Sequence, residues 1–199
     1  MTALALLAAA TLQAGDAERP AKNAAQGRPL DPAIRLAKIS RNALAEVDDY
    51  VATFRKKERI GNRLIAHTMA IKHRRDPFSV YLRFIGEHDG REVIYVNGRN
   101  DGKLLVHETG LAGIVGTISL LPASPEAMSE SIHPLTDIGL WNLVDKVIAQ
   151  WESEREYDDV ELKYYPNAKL GSQVECKVIE TTHSRPARQF RYCRTRLYI

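Results

Sequence analysis

PFSVYLRFIGEHDGREVIYVNGRNDGKLLVH, residues Pro77 to His107, is the stretch whose reading decides the fold. It divides into three strand-like runs with two turn signals between them. Phe78, Val80, Leu82 and Phe84 alternate with Ser79, Tyr81 and Arg83, the period of two that puts one set of side chains on a covered face. Asp89-Gly90 predicts a two-residue hairpin loop, because a type I′ turn needs positive φ at both central residues. With that loop Phe84 stands opposite Tyr95, and Val93 falls on the same face. Asn97-Gly98 and Asp101-Gly102 close the second run before Lys103–His107. The face so defined is apolar from end to end, so helices of the chain or a ligand must cover it.

Composition sets the outer limits. The 199 residues, 44% hydrophobic and 27% charged, suit one core of ordinary globular material. Lys+Arg 28 against Asp+Glu 25 leaves +3, too little to point to nucleic acid. Residues 1–17 hold no Lys or Arg, and Ala3–Leu12 is a run of Ala, Leu and Thr too short to span a bilayer as a helix. This reads as the apolar region of a secretory signal, with cleavage after Ala14 or Ala17. The n-region, Met1-Thr2, lacks a basic residue, and an Ala-rich N-terminal helix is the other reading. Residues 18–30 are then a polar linker and 31–199 a single domain, expected in the periplasm or otherwise exported to the cell envelope.

The two cysteines point the same way. Gln173–Thr182 and Ala187–Ile199 read as the strands of a hairpin. A turn centred on Ser184-Arg185 puts Cys176 opposite Cys193, Glu175 opposite Arg194 and Ile179 opposite Phe190, pairing unlike charges and apolar with aromatic groups. Cysteines facing each other across neighbouring strands reach disulfide distance. Two free thiols are the alternative, and a metal site at this pair lacks further ligands.

Elsewhere, Asp31-Pro32 predicts a helix start with Asp at the N-cap, and Leu36, Ala43, Leu44, Val47 and Val51 recur at helical spacing. Tyr50–Glu58 and Arg63–His73 read as strands around a Gly61-Asn62 turn. Leu111–Leu121 is apolar and Gly-punctuated, and ends in a strand from Thr117. Ser124-Pro125-Glu126 predicts a short helix. From Asp137 a longer helix carries Leu140, Trp141, Val144, Val147, Ile148 and Trp151 on one face. Val160–Tyr165 is a strand ended by a Pro166-Asn167 turn. The expected fold class is α+β: a curved antiparallel β-sheet, an open half-barrel, with helices packed on its concave face. Leu197-Tyr198-Ile199 falls in mid-strand by pattern, so closing strands are expected to be missing.

YVATFRKKER (50–59), RRDPFSVYLRFIG (74–86), GREVIYVNGRNDGKLLVH (90–107) and IHPLTDIGLWNLVDKVI (132–148) together resemble the bacterial family called domain of unknown function 1571, found in exported proteins. The resemblance spans roughly Leu36 to Ile199, and the family's usual continuation beyond the last hairpin is missing. The order of elements is also similar to that of the LolA-type periplasmic lipoprotein carriers, whose half-open barrel is plugged by helices. That likeness is architectural, so a function carried from it is analogy. The family brings no catalytic residues to carry over.

Chemistry-bearing residues are scattered. His67, His73, His88, His107, His133 and His183 form no His-x-x-x-His or Glu-x-x-His pair on a helix. His67 and His73 share a strand face but stand too far apart for one ion, so no metal is expected. No Gly-x-Ser-x-Gly elbow, Cys–His signature or phosphate loop is present. No catalytic residue and no cofactor is assigned, and the chain is expected not to be an enzyme. Glu58, Glu87 and Glu92 read as solvated ion pairs.

Two features remain. Arg55, Lys56, Lys57 and Arg59, with Lys72, Arg74 and Arg75, form two basic patches at strand ends. They suit anionic lipid headgroups, or simply deter edge pairing. Phe54, Phe78, Val80, Leu82, Phe84, Val93, Tyr95 and Trp141 make either a core under helices or a face that holds an acyl chain by area. A lid over such a face would lie in Leu111–Leu121. The expected function is an exported, non-enzymatic protein binding a lipid or lipoprotein acyl chain in a hydrophobic half-barrel. The alternative is an envelope protein–protein interaction module with a packed, ligand-free core; no nucleic-acid partner is expected.

Overall fold

A computed structural model describes residues 27–110, 113, 116–171, 174–184 and 190–199. The signal-peptide reading of residues 1–17 lies outside them, as does most of the glycine-punctuated part of Leu111–Leu121. The chain is α+β and divides into two compact units. One runs over Glu46–Leu140; the other joins the residues up to Ala45 to Trp141–Ile199.

The first unit is a six-stranded antiparallel sheet with its strands in chain order: β1 (Asp49–Ile60), β2 (Arg63–Arg74), β3 (Ser79–Ile85), β4 (Glu92–Val96), β5 (Leu104–His107) and β6 (Thr117–Leu120). Ile60 pairs with Arg63, so Gly61-Asn62 is the expected two-residue turn, and Asp49 pairs with Arg74 at the far end. Alternation holds along β1–β3, and it builds one covered face from Met69, Ile71, Val80, Leu82 and Phe84, with Tyr50, Ala52, Phe54, Phe78 and Val93 packed around them. Tyr95, Leu104 and Val106 continue that face toward β5.

The β3–β4 turn departs from expectation. Val80 pairs with Tyr95 and Leu82 with Val93, while Phe84 donates its N–H to the Arg91 carbonyl at 2.9 Å. The loop is therefore longer than Asp89-Gly90, with positive φ at Gly86, His88 and Gly90. Phe84 does not face Tyr95. The register moved by four, an even number, so every side chain kept its face.

Within this unit no α-helix of the described residues covers this face. Its cover is an irregular strap over residues 121–139, whose Leu135 and Ile138 pack on the covered cluster and whose Ala127 packs beside Tyr95. The expected helix at Ser124 is a run of turns, although Ser124 Oγ does accept the Ala127 N–H at 3.3 Å. At the strap's end Gly139 has φ +121, and a Cβ there would overlap the His73 ring. His73 stacks on Tyr50 at 5.1 Å between centroids, and Tyr50 Oη accepts the Leu140 N–H at 3.3 Å.

The second unit holds both helices, α1 (Asp31–Ala43) and α2 (Leu140–Ser153), and a three-stranded sheet of β7 (Val160–Leu170), β8 (Val174–His183) and β9 (Arg194–Tyr198). Ala33, Ile34 and Ala37 of α1 and Val144, Ile148 and Trp151 of α2 form one core with Val160, Ile179 and Leu197. Leu30, not Asp31, occupies the N-cap of α1; Asp31 sits in the first turn, where a carboxylate suits the helix dipole. Pro166-Asn167 is a bulge inside β7, not its end. The single curved sheet with helices on its concave face is thus two sheets, and the helices are built into the unit with the smaller one. No helix among the described residues is long and apolar enough to cross a membrane, which says nothing of a β-barrel.

The cysteine pairing is corrected too. Val178 pairs with Tyr198 and Thr182 with Arg194, and the His183 N–H reaches the Cys193 carbonyl at 2.9 Å. Cys193 therefore stands beside His183, about 23 Å along β8 from Cys176 at ~3.3 Å per residue. Both thiols are free. The reason is a β8–β9 connection longer than a turn at Ser184-Arg185.

Two outcomes follow from this packing. Leu82→Ala, at a 5% exposed position, lowers the unfolding free energy in urea by about 2–5 kcal/mol; a loss under half that would mean the strap does not seal the face. Thiol titration of the unfolded, non-reduced protein counts two reactive groups, and a count of zero would restore the disulfide.

Candidate functional site

At one end of the covered face the apolar pattern gives way to charge. Lys56 on β1 pairs across to His67 on β2, and both lie on the covered side, in line with Phe54 and Met69. His88 comes from the β3–β4 turn, Arg91 precedes β4, Glu108 follows β5, and Glu130 descends from the strap. These five segments meet because the long β3–β4 loop, held by Asp89 N–H to the Gly86 carbonyl and Thr109 Oγ1 to the Asp89 carbonyl, folds back over the sheet end.

Glu130 is the hub. Its carboxylate lies 3.1 Å from His88 Nε2, accepts Arg91 Nη1 at 3.0 Å and stands 3.7 Å from His67 Nε2. Its backbone carbonyl accepts Lys56 Nζ at 2.7 Å. Arg91 also pairs with Glu108 at 2.7 Å and donates Nη2 to His88 Nδ1 at 3.1 Å. Glu58 pairs with Lys56 and accepts the Ile132 N–H at 3.0 Å, fixing the strap two residues further on. The His67 side chain is 1% exposed, yet neither ring nitrogen has a hydrogen-bond partner among the described residues. His67 Nε2, His88 Nε2 and a Glu130 oxygen all lie within 4.8 Å of one another.

Electrostatics follows from this geometry. Burial is the largest influence on His67 and holds its pKa below the ordinary 6.5; neighbouring Lys56 acts the same way, against the pull of Glu130 and Glu87. Burial likewise lowers His73 and lowers Lys56, and pushes the Tyr50 phenol up to about 12. Glu130 is half-buried, which alone would raise its pKa, but the charges of Arg91, His88 and His67 and the Arg91 hydrogen bond bring it below the usual carboxylate value.

The opposite, open face of the same sheet has a different character. Arg55, Lys57 and Arg59 alternate along its β1 side, with Lys72 and Arg74 on β2 and Arg83 on β3, against only Asp49 and Glu92. Between them stand exposed aliphatic side chains: Val51 at 65%, Leu64 at 53%, Ile85 at 48% and Ile94 at 41%. One cross-strand row reads Val51, Lys72, Tyr81, Ile94, Leu105, and Lys72 Nζ lies 5.4 Å above the Tyr81 ring. A depression of about 230 Å³ beside that row is lined by Tyr81, Glu92, Ile94, Leu105, His107 and Thr117.

Phe54, Phe78, Val80, Leu82, Phe84, Val93 and Tyr95 are thus together on the covered face, under the strap. Trp141 belongs to the second unit, where it lies in the first turn of α2 and donates Nε1 to the Leu44 carbonyl at 3.0 Å. The basic patches sort by strand parity. Arg55, Lys57, Arg59, Lys72 and Arg74 point to the open face, Lys56 to the covered one, and Arg75 follows β2, paired with Asp48 at 3.1 Å. The cluster around Glu130 escaped sequence reasoning. The sequence put His67 and His73 on one strand face without saying that the face is covered, and nothing in the sequence near Glu130 announces its role.

The lowered histidine pKa values have a stability consequence. Below about pH 6.5 the unfolded chain protonates His67 and His73 while the folded chain resists, so stability falls with pH from 6.5 down to the folded values. Urea midpoints measured from neutral pH downward show this slope, and His67→Gln makes it shallower. An unchanged slope in that variant would remove His67 from the titration.

No curated protein matches this chain. A solved structure similar to it, the crystal structure of a DUF1329 family protein from Desulfovibrio piger, aligns over 86% of this chain and 68% of that one, with 12% identity and a TM-score of 0.38. The family described as "Protein of unknown function (DUF1571)" matches residues 47–199, which covers the whole six-stranded sheet, its strap, α2 and the three-stranded sheet. The chain belongs to the DUF1571 family.

Proposed function

We propose that this is a non-enzymatic protein of the cell envelope that docks on anionic lipid surfaces through the open face of its six-stranded sheet. One observation carries the reading: six cations and four exposed aliphatic side chains share that face, with two acids among them. Solvation alone accounts for the cations of an edge strand such as β1, where Arg55, Lys57 and Arg59 also deter pairing with another sheet. It does not account for Val51, Leu64, Ile85 and Ile94 between them, which cost free energy in water. At a lipid interface the two kinds of side chain act together, the aliphatic groups entering the headgroup boundary and the cations meeting its anionic charge. The position in the envelope rests on the export reading of the N-terminal stretch.

A second reading is acyl-chain carriage in the LolA-like manner, on the covered face. It is favoured by the cover itself, an irregular strap that can leave more readily than a packed helix. It requires the strap to lift, because Met69, Ile71 and Val80 are each 2% exposed or less beneath it.

Co-sedimentation with phosphatidylcholine vesicles, with and without phosphatidylglycerol, tests the docking reading. The protein partitions to the anionic vesicles, and salt weakens the binding. Arg55→Gln, Lys57→Gln and Arg74→Gln each lower it about fivefold, as expected for ~1 kcal/mol per cation. No preference for phosphatidylglycerol, or full binding by the triple variant, would overturn the reading. Binding to polyglutamate and not to vesicles would assign an acidic protein partner instead.

A further inference from the structure

We propose that His67, His88 and Glu130 form a binding site for a divalent transition-metal ion of the Zn²⁺ class. The three donors come from β2, the β3–β4 loop and the strap, and converge within 4.8 Å of one another. Two imidazoles and one carboxylate, with a fourth position for water, are a donor set that zinc and its borderline-soft neighbours accept. Ligand atoms around a tetrahedral ion with ~2.1 Å bonds stand about 3.4 Å apart. The Glu130 carboxylate already lies 3.1 Å from His88 Nε2 and 3.7 Å from His67 Nε2, so small side-chain rotations close the site.

A second observation separates this cluster from an ordinary ion-pair network. The His67 side chain is 1% exposed, lies edge-on to Phe84 with 5.2 Å between centroids, and has no hydrogen-bond partner for either nitrogen among the described residues. A buried imidazole left unsatisfied costs free energy that a bound ion would offset.

Two cations stand close by, and the charges still favour a dication. Glu58, Glu108 and Glu130 against Lys56 and Arg91 leave one net negative charge beside the two imidazoles. Arg91 is the group that must adjust. Its Nη2 donates to His88 Nδ1, which fixes the hydrogen on Nε2. With an ion at Nε2 the hydrogen moves to Nδ1 and Nη2 withdraws, while Arg91 keeps Glu108 and the Glu130 oxygen that the ion does not take. Such an ion would tie the strap to the sheet, since Glu130 is its only ligand from residues 121–139.

The site stands apart from vesicle docking, which uses the other face of the sheet. The experiment titrates the untagged, chelator-treated full chain with Co²⁺ and follows the visible d–d bands, then displaces Co²⁺ with Zn²⁺. One equivalent binds with the intense bands of a four-coordinate site, and Zn²⁺ raises Tm. His88→Ala and Glu130→Gln, both at partly exposed positions where the fold is retained by circular dichroism, lose at least about tenfold in affinity. His107→Ala, an exposed histidine outside the cluster, changes nothing. Absence of the bands, undiminished binding in His88→Ala and Glu130→Gln, or an equal loss in His107→Ala would each overturn the site.

Discussion

A six-stranded antiparallel sheet with one apolar face cannot stand in water uncovered, and everything in the first unit follows from how that face is sealed. Met69, Ile71, Val80, Leu82 and Phe84 lie in adjacent positions on β2 and β3. Burying side chains of this size is worth about 1.5–3 kcal/mol each. The cover is supplied by residues 121–139, which lack the periodicity of a helix and hold themselves down at separate points. Leu135 and Ile138 fill the apolar middle, Gly139 allows the chain to press against His73, and Glu130 enters the charged end.

That arrangement explains why chemistry collects where it does. A strap made of turns has backbone groups to satisfy, and the sheet end supplies partners for them: Lys56 for the Glu130 carbonyl and Glu58 for the Ile132 N–H. Burying these charges is tolerable because each is paired. The same closeness that pairs Glu130 with Arg91 and His88 also brings it over His67. The open face meets none of these demands, and its cations stay in water beside aliphatic groups that nothing in the first unit covers.

The second unit solves the covering problem in the ordinary way, with helices. Ala33 and Ala37 of α1 are small enough to let α1 lie close in a core that Trp151 and Ile148 of α2 dominate. Several of its buried polar groups are matched: Trp151 Nε1 donates to Thr181 Oγ1 at 3.1 Å, and Glu154 lies 3.1 Å from His183 Nε2, while His183 Nδ1 has no partner among the described residues. Trp141 belongs to this unit, and so the aromatic residue that seemed to complete the apolar sheet face serves elsewhere.

Alternation and turn signals in the sequence marked β1 to β5, and the Gly61-Asn62 turn the β1–β2 register, because side-chain parity and turn chemistry are local properties of the chain; β6 was legible only as the end of an apolar stretch without clear period. Alternation also assigned Phe54, Val80, Leu82 and Phe84 to one side, but the two basic patches expected at strand ends share the open face instead, apart from Lys56 and Arg75. The Asp89-Gly90 signal located a turn but not its length, which depends on left-handed backbone at Gly86 and His88 as well as at Gly90. The same ignorance of loop length misplaced Cys193, where an odd shift of register moved the partner to a different part of β8. What covers the sheet, which unit takes Trp141, and the meeting of His67, His88 and Glu130 were decided by tertiary structure alone. Those outcomes depend on how an aperiodic strap crosses a finished sheet, and no local pattern of residues encodes contacts between positions so far apart in the chain.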